Sequence, residues 1–448
     1  MTPVTGFLRE RFAERPDRAA VVAPPGRCTF GELAELQDRW GRELDRRGVG
    51  EGAVVALAGD FTPATTALLL ALLDRAAIVV PQSNVSRVSH GRGDEISQVE
   101  LRVDVDRRDA VTISATGRCA QHDLYDELRR RGSPGVVAFT SGTSGEPKAA
   151  VHDFARLLEK VHARRAALST FAFLLYDHLG GVRTLFHALS NGVTLVASDD
   201  RSPDTVCALI EEHRVELLPA TPTFFNLLLL SGAHRRHDLG SLRAITYGTE
   251  PMPQSTLDRL RAAFPGVRLQ QTYGLIELGP LGSRSRDDGS LWMKVGGDGF
   301  ETRVVDGVLQ VRSRAMAMGY LNAEAPITED GWFVTGDAVQ QDGEYVRVLG
   351  RRSELINVGG EKVFPAEVED VIQAMDEVAE VRVHGERNAI VGNIVCATVL
   401  PAAPDADPAD LARAVKDFCR PRLERFKVPV RVRVTAEPLH GERFKKTR

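Results

Sequence analysis

The sequence predicts an α/β protein: a large N-terminal domain of helix and sheet layers, mostly parallel, with a β-rich subdomain, then a small α+β C-terminal domain. Three observations carry this. The chain has 448 residues, more than one hydrophobic core ordinarily serves. Apolar strand-like runs alternate with helical stretches through the first half, the rhythm of right-handed crossovers. From Gly299 onward that rhythm gives way to short strands with turns at Asp306-Gly307 and Asp342-Gly343. The expected division is 1–351 for the large domain, with its subdomain over about 299–350, and 352–448 for the small one.

Taken in order, Thr29-Phe30-Gly31-Glu32-Leu33 opens a helical stretch leading to Gly48-Val49-Gly50-Glu51-Gly52. Gly52 to Leu57 reads as a buried strand, Thr65 to Leu73 as a helix and Ala77 to Pro81 as a further strand. The segment Arg87 to Gly117 is polar, irregular and rich in Arg and Asp, and is expected to be a loop-rich surface insertion. Strands recur at Gly192 to Val196, Val215 to Leu218 and Leu242 to Thr246. After Arg351 one small sheet is expected, with helices at Pro365 to Met375 and Asp407 to Arg420.

Composition excludes several classes of function. Net charge is -4, with 57 basic against 61 acidic residues, so no nucleic-acid partner is advertised. The longest aliphatic run, Ala67 to Leu73, stops at Asp74-Arg75 and is too short to span a bilayer. Met1 to Pro16 carries Glu10 and Glu14 among arginines and lacks an apolar core, so no signal peptide is expected. Cys28, Cys119, Cys207, Cys396 and Cys419 are scattered and never spaced as CxxC, and read as reduced core residues of a cytoplasmic protein. Only eight of the basic residues are lysines. Lysine at Lys148 and Lys445, in a chain that defaults to arginine, suggests a need for a compact, flexible ammonium.

Thr140-Ser141-Gly142-Thr143-Ser144-Gly145-Glu146-Pro147-Lys148 follows the apolar run Val136 to Phe139. Glycines there let backbone N–H groups approach phosphate oxygens, four hydroxyls add donors and one ammonium adds a point charge. It is not a Walker A loop, because Glu146-Pro147 separates Gly145 from Lys148. Further motifs follow in order: Tyr247-Gly248-Thr249-Glu250-Pro251-Met252, Gln271-Thr272-Tyr273-Gly274-Leu275-Ile276-Glu277, Met318-Gly319-Tyr320, Thr335-Gly336-Asp337, Gly350-Arg351-Arg352-Ser353-Glu354 and Phe444-Lys445-Lys446-Thr447-Arg448.

This series, from about residue 29 to the C-terminus, resembles the adenylate-forming superfamily of acyl- and aryl-CoA ligases, peptide-synthetase adenylation domains and luciferases. The resemblance implies ATP binding by Thr140 to Gly145 and Lys148, by the backbone of Gly248, Thr249, Glu250 and Pro251, and by Gln271, Thr272, Tyr273 and Gly274, with Tyr273 stacking on adenine. Asp337 would accept from the ribose hydroxyls, and Arg351 would reach the ribose or the phosphates. Glu277 would be the magnesium ligand, a hard oxygen donor suited to that ion. Ser353 falls at the hinge of a mobile C-terminal domain, and Lys445 is the catalytic lysine, with Lys446 one residue away as the competing register. Two departures stand out: Ile276 replaces a threonine, and Phe444 replaces a glycine.

The acid pocket implied by the resemblance includes Tyr176, Asp177, His178, Phe224, Tyr247 and Leu275, with His178 as the gating and catalytic histidine. Asp177 leaves open an α-amino acid, whose ammonium it would pair; aromatic walls favour an aryl or acyl acid. The expected reaction is ATP-dependent, magnesium-assisted activation of a small-molecule acid to an acyl-adenylate with release of pyrophosphate, then transfer to coenzyme A or the thiol of a separate carrier protein. Two other readings stand beside it: activation of an oxyacid such as nitrite for N–N bond formation with an aryl amine, and a catalytically impaired nucleotide-binding homologue.

Overall fold

The structure, a computed structural model, describes residues 3–85, 90–140, 146–164, 168–297 and 299–447, with only the backbone at 160 and 280. Two seven-stranded sheets form the layered part. The first runs in the order Arg268–Gln271, Ala244–Tyr247, Leu217–Ala220, Thr170–Phe171, Leu195–Val196, Ala19–Ala23, Gly26–Thr29, parallel up to its closing hairpin. In the second, Gly135–Phe139, Ile78–Ser83, Val54–Gly59 and Leu101–Val105 lie parallel, and antiparallel strands close both edges. Helix Pro63–Leu73 is buried along its whole length in the main core, which accounts for its being apolar on every side. Helix Phe30–Arg46 starts with Thr29 and Glu32 capping each other's backbone N–H groups.

Beyond these layers a six-stranded antiparallel sheet spans Ser283–Ser285 to Tyr345–Arg351. Its two-residue turn at Asp306-Gly307 puts both residues at positive φ, 50° and 72°, as an Asp-Gly hairpin turn requires. From Ile356 a five-stranded sheet with helices Pro365–Gln373 and Pro408–Cys419 closes around its own core.

Two expectations need correction. Residues 87–117 are not a loop-rich insertion: among them lie helix His90–Ile96 and strands Leu101–Val105 and Val111–Ala115, which extend the second sheet. Leu101, Val103, Val105, Val111 and Ile113 alternate with polar residues, and the charge between them hid a period of two. Arg102 pairs with both Asp94 and Asp104, so that charge is structural. All five cysteines are free, but Cys119 is exposed while the other four are buried. Among the described residues no helix is long and apolar enough to cross a membrane.

Candidate active site

A cleft of about 1590 Å³ is lined by residues of both the layered domain and the C-terminal segment. At one end the hairpin of Phe333–Asp342 and Tyr345–Arg351 sets Asp337 directly across from Arg351. Asp337 Oδ2 accepts from the Tyr273 hydroxyl at 2.5 Å, and Oδ1 lies 3.0 Å from Arg351 Nε. Arg351 also donates to the Thr335 carbonyl at 2.7 Å. Burial pushes the Asp337 carboxyl up, and the adjacent Arg351 opposes that shift. Asp337 and Arg351 are thus fixed by each other before any ligand arrives.

Glu277 stands beside them, and its Oε1 accepts from the Tyr320 hydroxyl. Lys148 lies over the face of the Tyr320 ring, 5.5 Å from its centroid. Asn322 ties down the chain on either side of Lys148, accepting from Ala149 N and donating to the Pro147 carbonyl, both at 3.0 Å. Ser141 to Gly145 lie outside the described residues, while Thr140 and Lys148, which flank them, line the cleft. His152 is fully buried, and its Nε2 donates to the Ile276 carbonyl at 2.7 Å. Burial pulls its pKa down to about 4, so it is a neutral peg under the Ile276-Glu277 backbone.

Gly248 explains how the two adenine motifs meet. A Cβ there would fall 2.4 Å from Thr272 Oγ1 and 2.6 Å from its carbonyl oxygen, so only glycine lets the strands close at this point. Next to it Thr249 sits at φ +73° and lines the cleft, a strained backbone of the kind found at ligand sites. The Glu250 carboxylate turns away, accepting from Thr223 N at 2.8 Å and Lys446 N at 3.1 Å. Its side chain therefore docks the C-terminal segment. Pro251, Gln271, Thr272, Gly274 and Leu275 line the cleft.

The C-terminal segment enters as a hook. Phe444 adopts φ +51°, a left-handed conformation that favours glycine, at a cost of about 1 kcal/mol for a side-chain-bearing residue. Its ring packs 5.5 Å from Phe173 and 5.8 Å from Phe224, with Arg201 over its face at 5.3 Å. Thr221 Oγ1 and Arg201 Nη2 donate, each at 2.5 Å, to the carbonyls of Phe444 and Glu442. These contacts separate the two lysines. Both line the cleft, but Lys446 is held by Glu369 at 2.9 Å, whereas at Lys445 burial, Arg443 and Arg351 pull the pKa down to about 8 against the opposing charges of Glu250 and Asp177.

At the other end, His178 caps helix Leu179–Asn191, its Nδ1 accepting from Gly180 N at 3.0 Å, so the neutral ring carries its proton on Nε2. Burial and the cations of Lys445 and Arg443 hold the ring well below the usual histidine range. Gly181 is obligatory here, since a Cβ would stand 2.3 Å from the Leu175 carbonyl oxygen. Asp177 is bridged at 2.6 Å by Arg443 of the hook, so the carboxylate that kept an amino acid open is engaged from within the chain.

Three expected pocket residues lie elsewhere. Phe224 and Tyr247 are fully buried in the second core cluster, and Tyr176 is buried in the main core, its ring edge-on to Phe61. The reason is alternation: in strand Ala244–Tyr247, Thr246 lines the cleft and Tyr247 points to the opposite face. Sequence reasoning missed Tyr320, Asn322, Arg443 and Arg201. Tyr320 had a signal in its Gly-Tyr motif; Arg201 and Arg443 were two among many arginines.

Layered sheets, a β-rich subdomain and a small third unit sharing one nucleotide-sized cleft define an AMP-forming acid ligase. The chain belongs to the AMP-binding enzyme family, which it matches over residues 8–89 and 88–321, and its residues 367–445 match the AMP-binding enzyme C-terminal domain. It is 29% identical to an indoleacetate–CoA ligase of Aromatoleum aromaticum, over 93% of this chain and 91% of that one. A 2-succinylbenzoate–CoA ligase of Geobacillus kaustophilus is 27% identical, over 96% and 94%. The solved structure of the anthranilate CoA ligase AuaEII in complex with anthranoyl-AMP shares the fold, with a TM-score of 0.80 at 19% identity over 99% of this chain and 95% of that one.

Proposed function

We propose that this ligase activates a small aryl or acyl carboxylic acid with ATP and passes the acyl group to the thiol of coenzyme A. An oxygen of the carboxylate attacks the α-phosphorus as the bond to pyrophosphate breaks; the thiol sulfur then attacks the acyl carbon and AMP leaves. The observation that most supports this reading is the hook. It presents Lys445 to the same cleft as Lys148, Glu277 and Asp337 while Lys446 is tied down by Glu369.

Each group has a task in this scheme. Asp337 and Arg351 hold the ribose, and Thr249 with Thr272 lies along the adenine. Lys148 and Lys445 neutralise charge on opposite sides of the in-line displacement, where fixed cations lower the barrier most. Glu277 fits magnesium: Tyr320 occupies one of its oxygens, and no cluster of three ligating side chains lies among the described residues. One carboxylate completed by phosphates and water is how this ion is usually held beside a nucleotide, and there it supplies further charge neutralisation. His178, neutral at the mouth of the acid pocket, brings no charge against the incoming carboxylate.

Transfer to the thiol needs the hook out of the way, since Lys445 and Arg443 line the cleft that the thiol must enter. The C-terminal unit is proposed to pivot at Ser353, exposed in the short turn Arg352–Glu354. Glu250, Arg201 and Thr221 would release the hook at that step. Pyrophosphate release from a panel of aryl and acyl acids, with thioester formation followed separately, tests the scheme. Release that depends on an acid but not on Lys445 would overturn it.

A further inference from the structure

Beside the hook, a small cavity of about 50 Å³ lies where strands of both seven-stranded sheets end. Asp60 follows strand Val54–Gly59 of one sheet, while Tyr176 and Arg201 lie beyond strands Thr170–Phe171 and Leu195–Val196 of the other. These three groups in its wall are poorly answered. Arg201 is only 6% exposed, and its guanidinium donates to the Phe173 and Glu442 carbonyls and lies over the Phe173 and Phe444 rings. Among the described residues no carboxylate stands within ion-pair distance of it. Burial pulls its pKa down to about 10, and the charge of Asp60 gives the largest opposing effect. Asp60 accepts from Ser83 Oγ at 2.7 Å, meets no cation within ion-pair distance among the described residues, and has its carboxyl pushed up by burial. The Tyr176 hydroxyl is buried and unpartnered. Keeping a buried cation, a carboxylate and a hydroxyl apart is costly when one contact would answer all three.

Resting on the two-step function above, we propose that Arg201 is a positioning residue with two seats. With the hook docked it holds the Glu442 carbonyl and the Phe444 ring and so fixes Lys445; with the hook withdrawn its guanidinium turns into the cavity and pairs with Asp60 and the Tyr176 hydroxyl. Withdrawal strips Arg201 of one carbonyl and one ring face, and a buried cation left without them needs a replacement. Asp177, which Arg443 would leave at the same step, lines the cleft and not this cavity. A planar guanidinium can stack on a ring in one seat and fork onto a carboxylate in the other, which an ammonium cannot do.

The test uses the full chain and three readouts: hydrogen exchange of the amides of residues 440–447 without ligand, pyrophosphate release, and thioester formation. Asp60→Asn keeps the shape and removes the charge of the second seat. It should slow exchange of the hook by about threefold, keep pyrophosphate release within about twofold and slow thioester formation by about fivefold. A residue that merely supports the fold would speed exchange and lower both half-reactions. Arg201→Met should speed exchange and lower kcat for adenylation by about tenfold with the KM for ATP within about twofold. In that background Asp60→Asn should change nothing further. Arg201→Lys, which keeps the charge and loses the fork, should recover part of the Asp60 dependence, and it replaces the methionine variant if that one fails to fold. An Asp60→Asn effect that is absent, or equally large without Arg201, overturns the second seat. Unchanged exchange and adenylation in Arg201→Met overturn the positioning role. If no acid releases pyrophosphate, the ligase reading falls, and the exchange rates alone decide the two seats by the same signs.

Discussion

The two ends of the cleft are built in opposite ways. At the end proposed for the nucleotide, Tyr273, Asp337 and Arg351 hold one another, as do Glu277 and Tyr320, so these side chains are braced from within the chain. At the acid end the wall comes from alternate residues of separate strands and one helix stripe, and part of the site, Arg443 and Lys445, arrives on another unit. On the proposed function, a ligand common to every turnover can be met by a fixed network, whereas a site whose occupant would change from acid to adenylate to thioester needs a removable wall. Stability and selectivity therefore belong to different residues, and the substitutions below separate them.

The largest effect is expected at the removable wall. Lys445→Ala should lower kcat for adenylation by about 100-fold or more, the scale of one transition-state charge donor, and leave the KM for ATP nearly unchanged. Lys446→Ala should cost far less. Pyrophosphate release measures both, and equal losses would mean that the two lysines share the task. Next, Asp337→Ala should weaken ATP binding by about 30-fold, since it strips charged partners from Arg351 and the Tyr273 hydroxyl. Calorimetric titration of ATP checks this, and unchanged affinity would remove Asp337 from the ribose site.

Ser353→Pro should spare adenylate formation and slow thioester formation by about tenfold, because proline fixes φ at the proposed pivot. Equal effects on the two half-reactions would dispose of the hinge. A smaller effect is expected in pH dependence. In the proposed mechanism Lys445 acts as the ammonium, so adenylation should be full well below pH 8 and fall as pH rises through the lysine's value of about 8. Arg443→Met removes a repelling cation and leaves Asp177 negative; both raise the Lys445 pKa, and the alkaline limb of kcat/KM should move to higher pH. A limb that stays in place would mean that another group governs it.

Ile276→Thr should change least. The residue holds its backbone through His152 whatever its side chain, and that side chain packs against the main core. Adenylation should stay within about threefold, and the cost should appear as about 1 kcal/mol of stability, read from denaturant unfolding. A large loss of turnover would assign the side chain a part in the site.

That Tyr273, Glu277, Asp337 and Arg351 would share one cleft was legible because they sit in contiguous motifs. Thr335-Gly336-Asp337 and the Gln271 to Glu277 run each specify a local backbone, and turn pairs such as Asp306-Gly307 fix hairpin register directly. Helix Pro63–Leu73 could likewise be read from its unbroken apolar composition. Tyr176, Phe224 and Tyr247 were placed in the pocket because aromatic residues near a motif look like pocket walls; which face of a strand or helix meets the cleft depends on what packs behind it. Phe444 shows the limit most clearly. In sequence it is a glycine lost, and only the tertiary structure supplies the Phe173, Phe224 and Arg201 surface that lets an aromatic ring take that backbone. Short-range backbone chemistry was determined by the sequence alone, while the choice of face, partner and register across distant segments was decided by packing that no local pattern encodes.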